Sequence, residues 1–167
     1  MRSGAVWIGV ALMMTWGMLA CSSGIEKKKF DGALKAAQAV QQSIDNLDDY
    51  ETFARVFDTF ANEVIALRDT VANEKERQLL KEYSELLMTY QDGFLLWEYK
   101  IESAQYPWIP EGRIYLEPKI KPLALKYHLP VQSHVVELTQ HLWKSVPADS
   151  LKIIWEQARS QYGKLRS

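Results

Sequence analysis

Between Phe30 and Ser103 the chain has no proline and only two glycines, Gly32 and Gly93. Proline and glycine are the residues that interrupt helices, so a span this long with almost none of them points to long helices. The apolar spacing points the same way. Tyr50, Phe53, Phe57, Phe60, Val64, Leu67 and Val71 recur at alternating intervals of three and four, and Leu80, Tyr83, Leu87, Tyr90, Phe94, Trp97 and Ile101 repeat the pattern. Each set is an a/d seam sustained for three heptads. At 1.5 Å per residue each seam is about 33 Å long.

Two equal seams joined by the polar segment Ala72-Asn73-Glu74-Lys75-Glu76 predict an antiparallel hairpin, because folding back buries both seams within one chain. Asn73 is placed to cap the second helix, with Glu76 at the third helical position reaching back. With no breaker at the joint, one continuous helix is the competing arrangement. Upstream, Phe30, Leu34, Ala37, Val40, Ile44 and Leu47 outline another amphipathic stretch; Asp48 with Glu51 can restart a helix by the same capping logic, and with no glycine or proline there a continuous or bent helix is the competing arrangement. All six prolines lie from residue 107 onward. The segment SAQYPWIPEGRIYLEP therefore predicts an irregular crossing, with a short strand over Arg113–Glu117. Val131, Val135, Leu138 and Leu142 predict one further helix. Leu151, Ile154, Trp155, Ala158 and Tyr162 predict another, started near Pro147. The expected fold is all-α: a four- or five-helix bundle built on a long antiparallel helical hairpin, with a proline-rich crossing before the C-terminal helices. Residues 30–167 form a single helical domain.

The first twenty residues are a different material. Arg2 precedes an uncharged, largely apolar run from Ser3 to Ala20, and the run ends Met18-Leu19-Ala20-Cys21-Ser22 at the only cysteine in the chain. A basic start, an apolar centre and a small-residue end mark a secretory signal peptide. The ending resembles the lipobox of bacterial lipoprotein precursors, in which a small residue precedes an obligatory cysteine. It departs from that pattern at Met18, where the class usually has Leu. The resemblance covers residues 1–21 only. It implies that residues 1–20 are removed as a signal, that Cys21 is acylated, and that residues 21–29 link the anchor to the domain. Ser22 after the cysteine implies, by the enterobacterial sorting rule, an outer-membrane protein facing the periplasm. More than one acyl chain is needed for stable anchoring. The flexible Ser22-Ser23-Gly24 tether would hold Lys27, Lys28 and Lys29 near anionic headgroups. The rival reading is an uncleaved membrane anchor. The run sits at the short end of the ~20 residues a spanning helix needs. Three lysines after it, against Arg2 before it, favour a cytoplasmic C-terminal side under the positive-inside rule.

A formal net charge of −1 argues against nucleic acid as a partner, since that needs a clustered basic surface. Charge is nevertheless unevenly divided. Residues 21–99 carry nine basic and fifteen acidic side chains, and residues 100–167 ten and six. The simpler reading is that the basic return packs across the acidic hairpin. One cysteine excludes an intrachain disulfide and any zinc site needing several thiolates. On a helix, His134 and His141 would lie ~10 Å apart, too far to share an ion, and the Glu-x-x-His signature of di-iron bundles is missing. Gly-x-Ser-x-Gly, His-Glu-x-x-His and glycine-rich phosphate loops are also missing from the sequence. The expectation is no catalytic residue, no metal and no cofactor.

What remains is a concentration of aromatics around the first prolines. Trp97, Tyr106, Trp108 and Tyr115 form the candidate binding patch. The competing reading is that Trp97 belongs to the core and the loop only closes the end of the bundle. The leading functional expectation is a lipid-anchored, non-enzymatic binding or assembly module of the bacterial cell envelope. It would be attached to the membrane through Cys21 and would take an envelope protein as partner. The alternatives are a periplasmic bundle binding a small ligand, and an envelope enzyme whose site the sequence does not display.

Overall fold

The computed structural model describes residues 24–136 and 141–167. The predicted signal and Cys21 lie outside them. The described chain is mostly helical. In order it forms α1 (Lys27–Asp45), α2 (Tyr50–Leu67), α3 (Glu74–Ser103), β1 (Arg113–Tyr115), α4 (Lys121–Lys126), β2 (Gln132–Val136), β3 (His141–Pro147), a 3-10 turn (Ala148–Ser150) and α5 (Leu151–Arg166). None of the described helices is long and apolar enough to cross a membrane.

The predicted seams become α2 and α3, and they run antiparallel. Phe53 packs against Trp97 near the start of α2, while Phe60 packs against Tyr83 and Tyr90 further along. α1 runs parallel to α3, since Phe30 stacks on Tyr83 and the Tyr90 hydroxyl donates to Gln41 Oε1 at 3.4 Å. α5 closes the set against α3 and α1. Gly93 makes the α3–α5 contact close: the Trp155 ring lies where a Cβ on Gly93 would have to be. The shared core holds Val40, Phe53, Phe60, Val64, Tyr83, Leu86 and Tyr90, all at 2% exposure or less.

The helix breaks have identifiable chemistry. α1 ends in a Schellman arrangement: Asp48 N–H donates to Ser43 C=O at 3.0 Å and Leu47 N–H to Ile44 C=O at 3.2 Å. Leu47 takes the left-handed position with φ 56°, where glycine is usual. The restart comes one residue later than the sequence suggested. Asp49, not Asp48, caps α2, accepting from Thr52 N–H at 2.8 Å and from its hydroxyl at 3.0 Å. These bonds hold the Asp49 carboxyl below its usual range. At the α2–α3 joint Asn73 accepts from Glu76 N–H at 3.0 Å, and Glu76 Oε2 accepts from Ala72 N–H at 2.8 Å. That is a capping box shifted by one residue.

Two sequence expectations are corrected. The fold is not purely α: a three-stranded antiparallel sheet, ordered β1-β3-β2, sits beyond the end of α3. Where a helix was predicted over Val131–Leu142, the described residues are the paired strands β2 and β3, in register His134 to Trp143 and Val135 to Leu142, and Leu138 lies outside the described residues. Spacings of four, three and four are shared by a helix and by two strands folded on each other. The segment is also flanked by Pro130 and Pro147 and rich in β-branched valines, which favour strand. The predicted strand at Arg113 is present but stops at Tyr115. A short helix the sequence did not announce, α4, carries Pro122 in its first turn. It is tied to α3 where the Tyr127 hydroxyl and Lys126 Nζ both reach Asp92 Oδ2, at 2.7 and 2.6 Å. Ile114 and Val146 pair across β1 and β3 and are fully buried in a second core with Leu96, Ile120 and Ile154. Gly24 lies beside Asn73 at the first turn of α3, whereas the sheet joins its last residue, Ser103. The thirty residues of α3 therefore separate the two ends by about 45 Å.

Candidate functional site

The sheet has two faces, because side chains alternate along each strand. Ile114 and Val146 point into the second core. On the other face stand Tyr115 from β1, Trp143 from β3 and His134 from β2. The proline-broken loop after α3 lays Trp108 over this face. Its ring meets Tyr115 edge-on at 5.4 Å between centroids and Trp143 edge-on at 5.3 Å. Tyr106 extends the group at 6.0 Å from Trp108, and His134 stacks on Trp143 at 4.0 Å with rings 17° apart. Edge-on and stacked arrangements are the favoured geometries of aromatic pairs. Trp143 is the buried floor at 7% exposure, while Tyr106 and Trp108 stand 43% and 53% exposed.

Polar contacts fix the face. Ser103 Oγ, at the end of α3, accepts from Tyr115 N–H at 3.0 Å. Arg113 Nε donates to Ser145 Oγ at 2.9 Å, and Ser145 Oγ lies 2.7 Å from His134 Nε2. Which of Ser145 and His134 donates depends on the histidine tautomer. The chain Arg113–Ser145–His134 thus ties all three strands together. It has the look of a serine–histidine pair, but Ser145 is fully buried, so no substrate carbonyl can approach its oxygen. The Tyr106 hydroxyl donates to Glu102 Oε1 at 3.3 Å, and that carboxylate holds the phenol above its usual range. Beside Tyr106, between the last turns of α3 and the loop, runs an open groove of about 630 Å³, walled by Ile101, Ile109 and Ala148 with Lys100 and Arg113 among its polar residues.

The structure brings together three of the four residues of the predicted patch, Tyr106, Trp108 and Tyr115. It separates the fourth. Trp97 packs against Tyr50 and Phe53, each at 5.7 Å, and is half-buried in the bundle. Trp143 and His134 were not in the predicted patch. Period-two alternation along β3, with Trp143 and Ser145 on one side and Leu142, Lys144 and Val146 on the other, is the signal that could have found them. The two histidines expected on one helical face lie on neighbouring strands, His134 opposite Trp143 and His141 opposite Val136. Among the described residues no three His, Cys, Asp or Glu side chains gather as a metal site would require. Comparison with protein-family models, with curated proteins and with solved structures returned no match.

Proposed function

We propose that this chain is a lipid-anchored, non-enzymatic binding module of the bacterial cell envelope, tethered through Cys21 to the outer membrane and facing the periplasm. In this reading the α2–α3 hairpin with α1 and α5 is a four-helix stalk. The sheet-end aromatic face is its contact surface for an envelope protein. The carrying observation is the position and exposure of Trp108 and Tyr106. Two large aromatics, propped on a buried Trp143 and flanked by a groove, stand at the end of α3 remote from the tether. Rigid aromatics of this kind anchor interfaces at low entropic cost.

The anchor is tested by labelling cells with radioactive or clickable palmitate and fractionating membranes. Wild type takes up label and sediments with outer membrane, and Cys21→Ser does neither. Wild type without label, or Cys21→Ser behaving as wild type, defeats the anchor. The surface is tested by placing a photo-crosslinking amino acid at Trp108 and, as a control, at Met88, which is 50% exposed on the bundle. A discrete adduct from position 108 and none from position 88 supports the contact face. Equal or no adducts from both reject it.

A further inference from the structure

β2 is an outer strand of the sheet, and β3 pairs with one side of it only. The opposite outer strand, β1, is tied down, since Tyr115 N–H is taken by Ser103 Oγ at 3.0 Å. Ladder geometry fixes which main-chain groups β2 leaves over. Leu116 N–H donates to Lys144 C=O at 2.8 Å, so Lys144 turns its main chain toward β1. Direction alternates along an antiparallel ladder, so Trp143 and Ser145 turn theirs toward β2, where they meet His134 and Gln132. Ser133 and Val135 therefore aim N–H and C=O out of the edge. Among the described residues these groups find no main-chain partner. Val131, Gln132, Ser133 and Val135 are all exposed. Native sheet edges are blunted by charge, proline or a bulge. From Val131 to Val136 there is no lysine, no acid and no proline, and the register with β3 runs without a bulge. Val131, Val135, Leu142 and Leu125 of α4 are each between 47% and 79% exposed. Val135 and Leu142 pair across the strands, and Val131 and Leu125 share the wall of a hollow of about 350 Å³.

We infer that β2 is a self-association edge: two copies of this chain join β2 to β2, antiparallel, about a two-fold axis at Ser133, into one six-stranded sheet. The strand's own spacing selects this occupant. An axis at Ser133 sets Ser133 opposite Ser133, and Val131 opposite Val135 of the second copy. These are the alternate positions whose main-chain groups point outward, so the new ladder bonds form where the edge is open. Residues directly opposite each other share a face. Leu142, Val135 and Val131 of the second copy therefore make an uninterrupted apolar row, repeated by symmetry. On the other face Gln132 meets His134. Lys144 stands opposite Ser133, which keeps the lysines of the two copies three strand spacings apart, about 14 Å. The pairing is isologous and closed, because both outer strands of the joined sheet are then β1. It also brings the Trp108 faces of two copies to the same side of one sheet. The inference does not depend on the anchor or on the envelope reading, and each can fail without the other.

The test is disulfide trapping of the full chain in mild detergent. Every variant carries Cys21→Ser, so the introduced thiol is the only one. Across the axis the two Ser133 Cα atoms stand about 5.5 Å apart, within disulfide reach. Two Val135 positions lie about 14 Å apart, as do two Val131 positions, out of reach. Under mild oxidation Ser133→Cys therefore forms a covalent dimer. Val131→Cys and Val135→Cys each stay monomeric alone and link when mixed. Adding Val135→Lys to Ser133→Cys, an exposed change that leaves the circular dichroism and melt of the monomer as they were, removes the dimer. No dimer from Ser133→Cys overturns the inference. So does equal linking at positions 131, 133 and 135, the mark of random collision, or a Ser133→Cys dimer that survives Val135→Lys.

Discussion

The Glu76 carboxylate accepts the backbone N–H of Glu26 at 3.1 Å, across fifty residues of sequence. The same carboxylate takes Ala72 N–H at 2.8 Å and lies 3.3 Å from Lys29 Nζ, while being only 1% exposed. One side chain thus satisfies the start of α1 and the turn before α3 together. Backbone donors, led by Ala72 and Glu26, hold its pKa below the ordinary 4.5. A carboxyl with a lowered folded-state pKa stabilises the fold above its unfolded value, and that contribution is lost as pH falls through the folded value. Wild type should therefore lose stability as pH drops below about 4.5. Glu76→Gln should be less stable at pH 7 and show a flatter acid limb. Urea unfolding at pH 7, 5 and 3 checks this, and parallel profiles would refute it.

At the alkaline side Tyr83 plays the opposite part. Burial raises its phenol to about 12. The unfolded chain ionises near 10, so stability is intact below pH 10 and falls as pH rises toward 12. Tyr83→Phe should unfold less steeply over that window. A difference that is constant with pH would show that only packing changed.

Gly93 and Gly163 should respond to alanine with opposite signs. Both lie within helices, where alanine is favoured by about 1 kcal/mol. Nothing lies within 4 Å of a Cβ at Gly163, so Gly163→Ala should stabilise by about 0.5–1 kcal/mol. At Gly93 the Cβ meets the Trp155 ring, and overpacking costs about 1–3 kcal/mol, more than the helix gain. Denaturant midpoints of the two variants decide it; a shift of both in the same direction is the failing result.

Within the aromatic face, stability and binding should divide between two tryptophans. Trp143 is nearly buried, so Trp143→Ala should cost about 3–5 kcal/mol. Trp108 is more than half exposed, and Trp108→Ala should cost about 1 kcal/mol or less while abolishing the proposed partner contact. Thermal melts and crosslinking of the two variants separate these roles.

The sequence disclosed the helices wherever apolar residues faced the bundle core for several turns, as in Phe53–Leu67 and Leu80–Trp97, while Ile101 at the end of the second seam is exposed. It disclosed the Asn73–Glu76 cap because both partners are local, but not the Glu26 contact, which only folding creates. The hairpin was hidden because its two strands are short and their apolar residues Val135 and Leu142 are exposed, so these do not mark a buried face. The aromatic patch was legible where its members are close in sequence. His134 and Trp143 meet through strand register, and Trp97 is carried away by the direction of α3.

α3 contributes Tyr83, Leu86 and Tyr90 to one core and Leu96 and Tyr99 to the other, without a break in its hydrogen-bond ladder. The two cores therefore lack a seam at which one could come apart while the other stayed intact. Bundle and sheet cap should melt cooperatively, as one unit with a single heat-absorption peak, so the aromatic face lasts as long as the stalk beneath it.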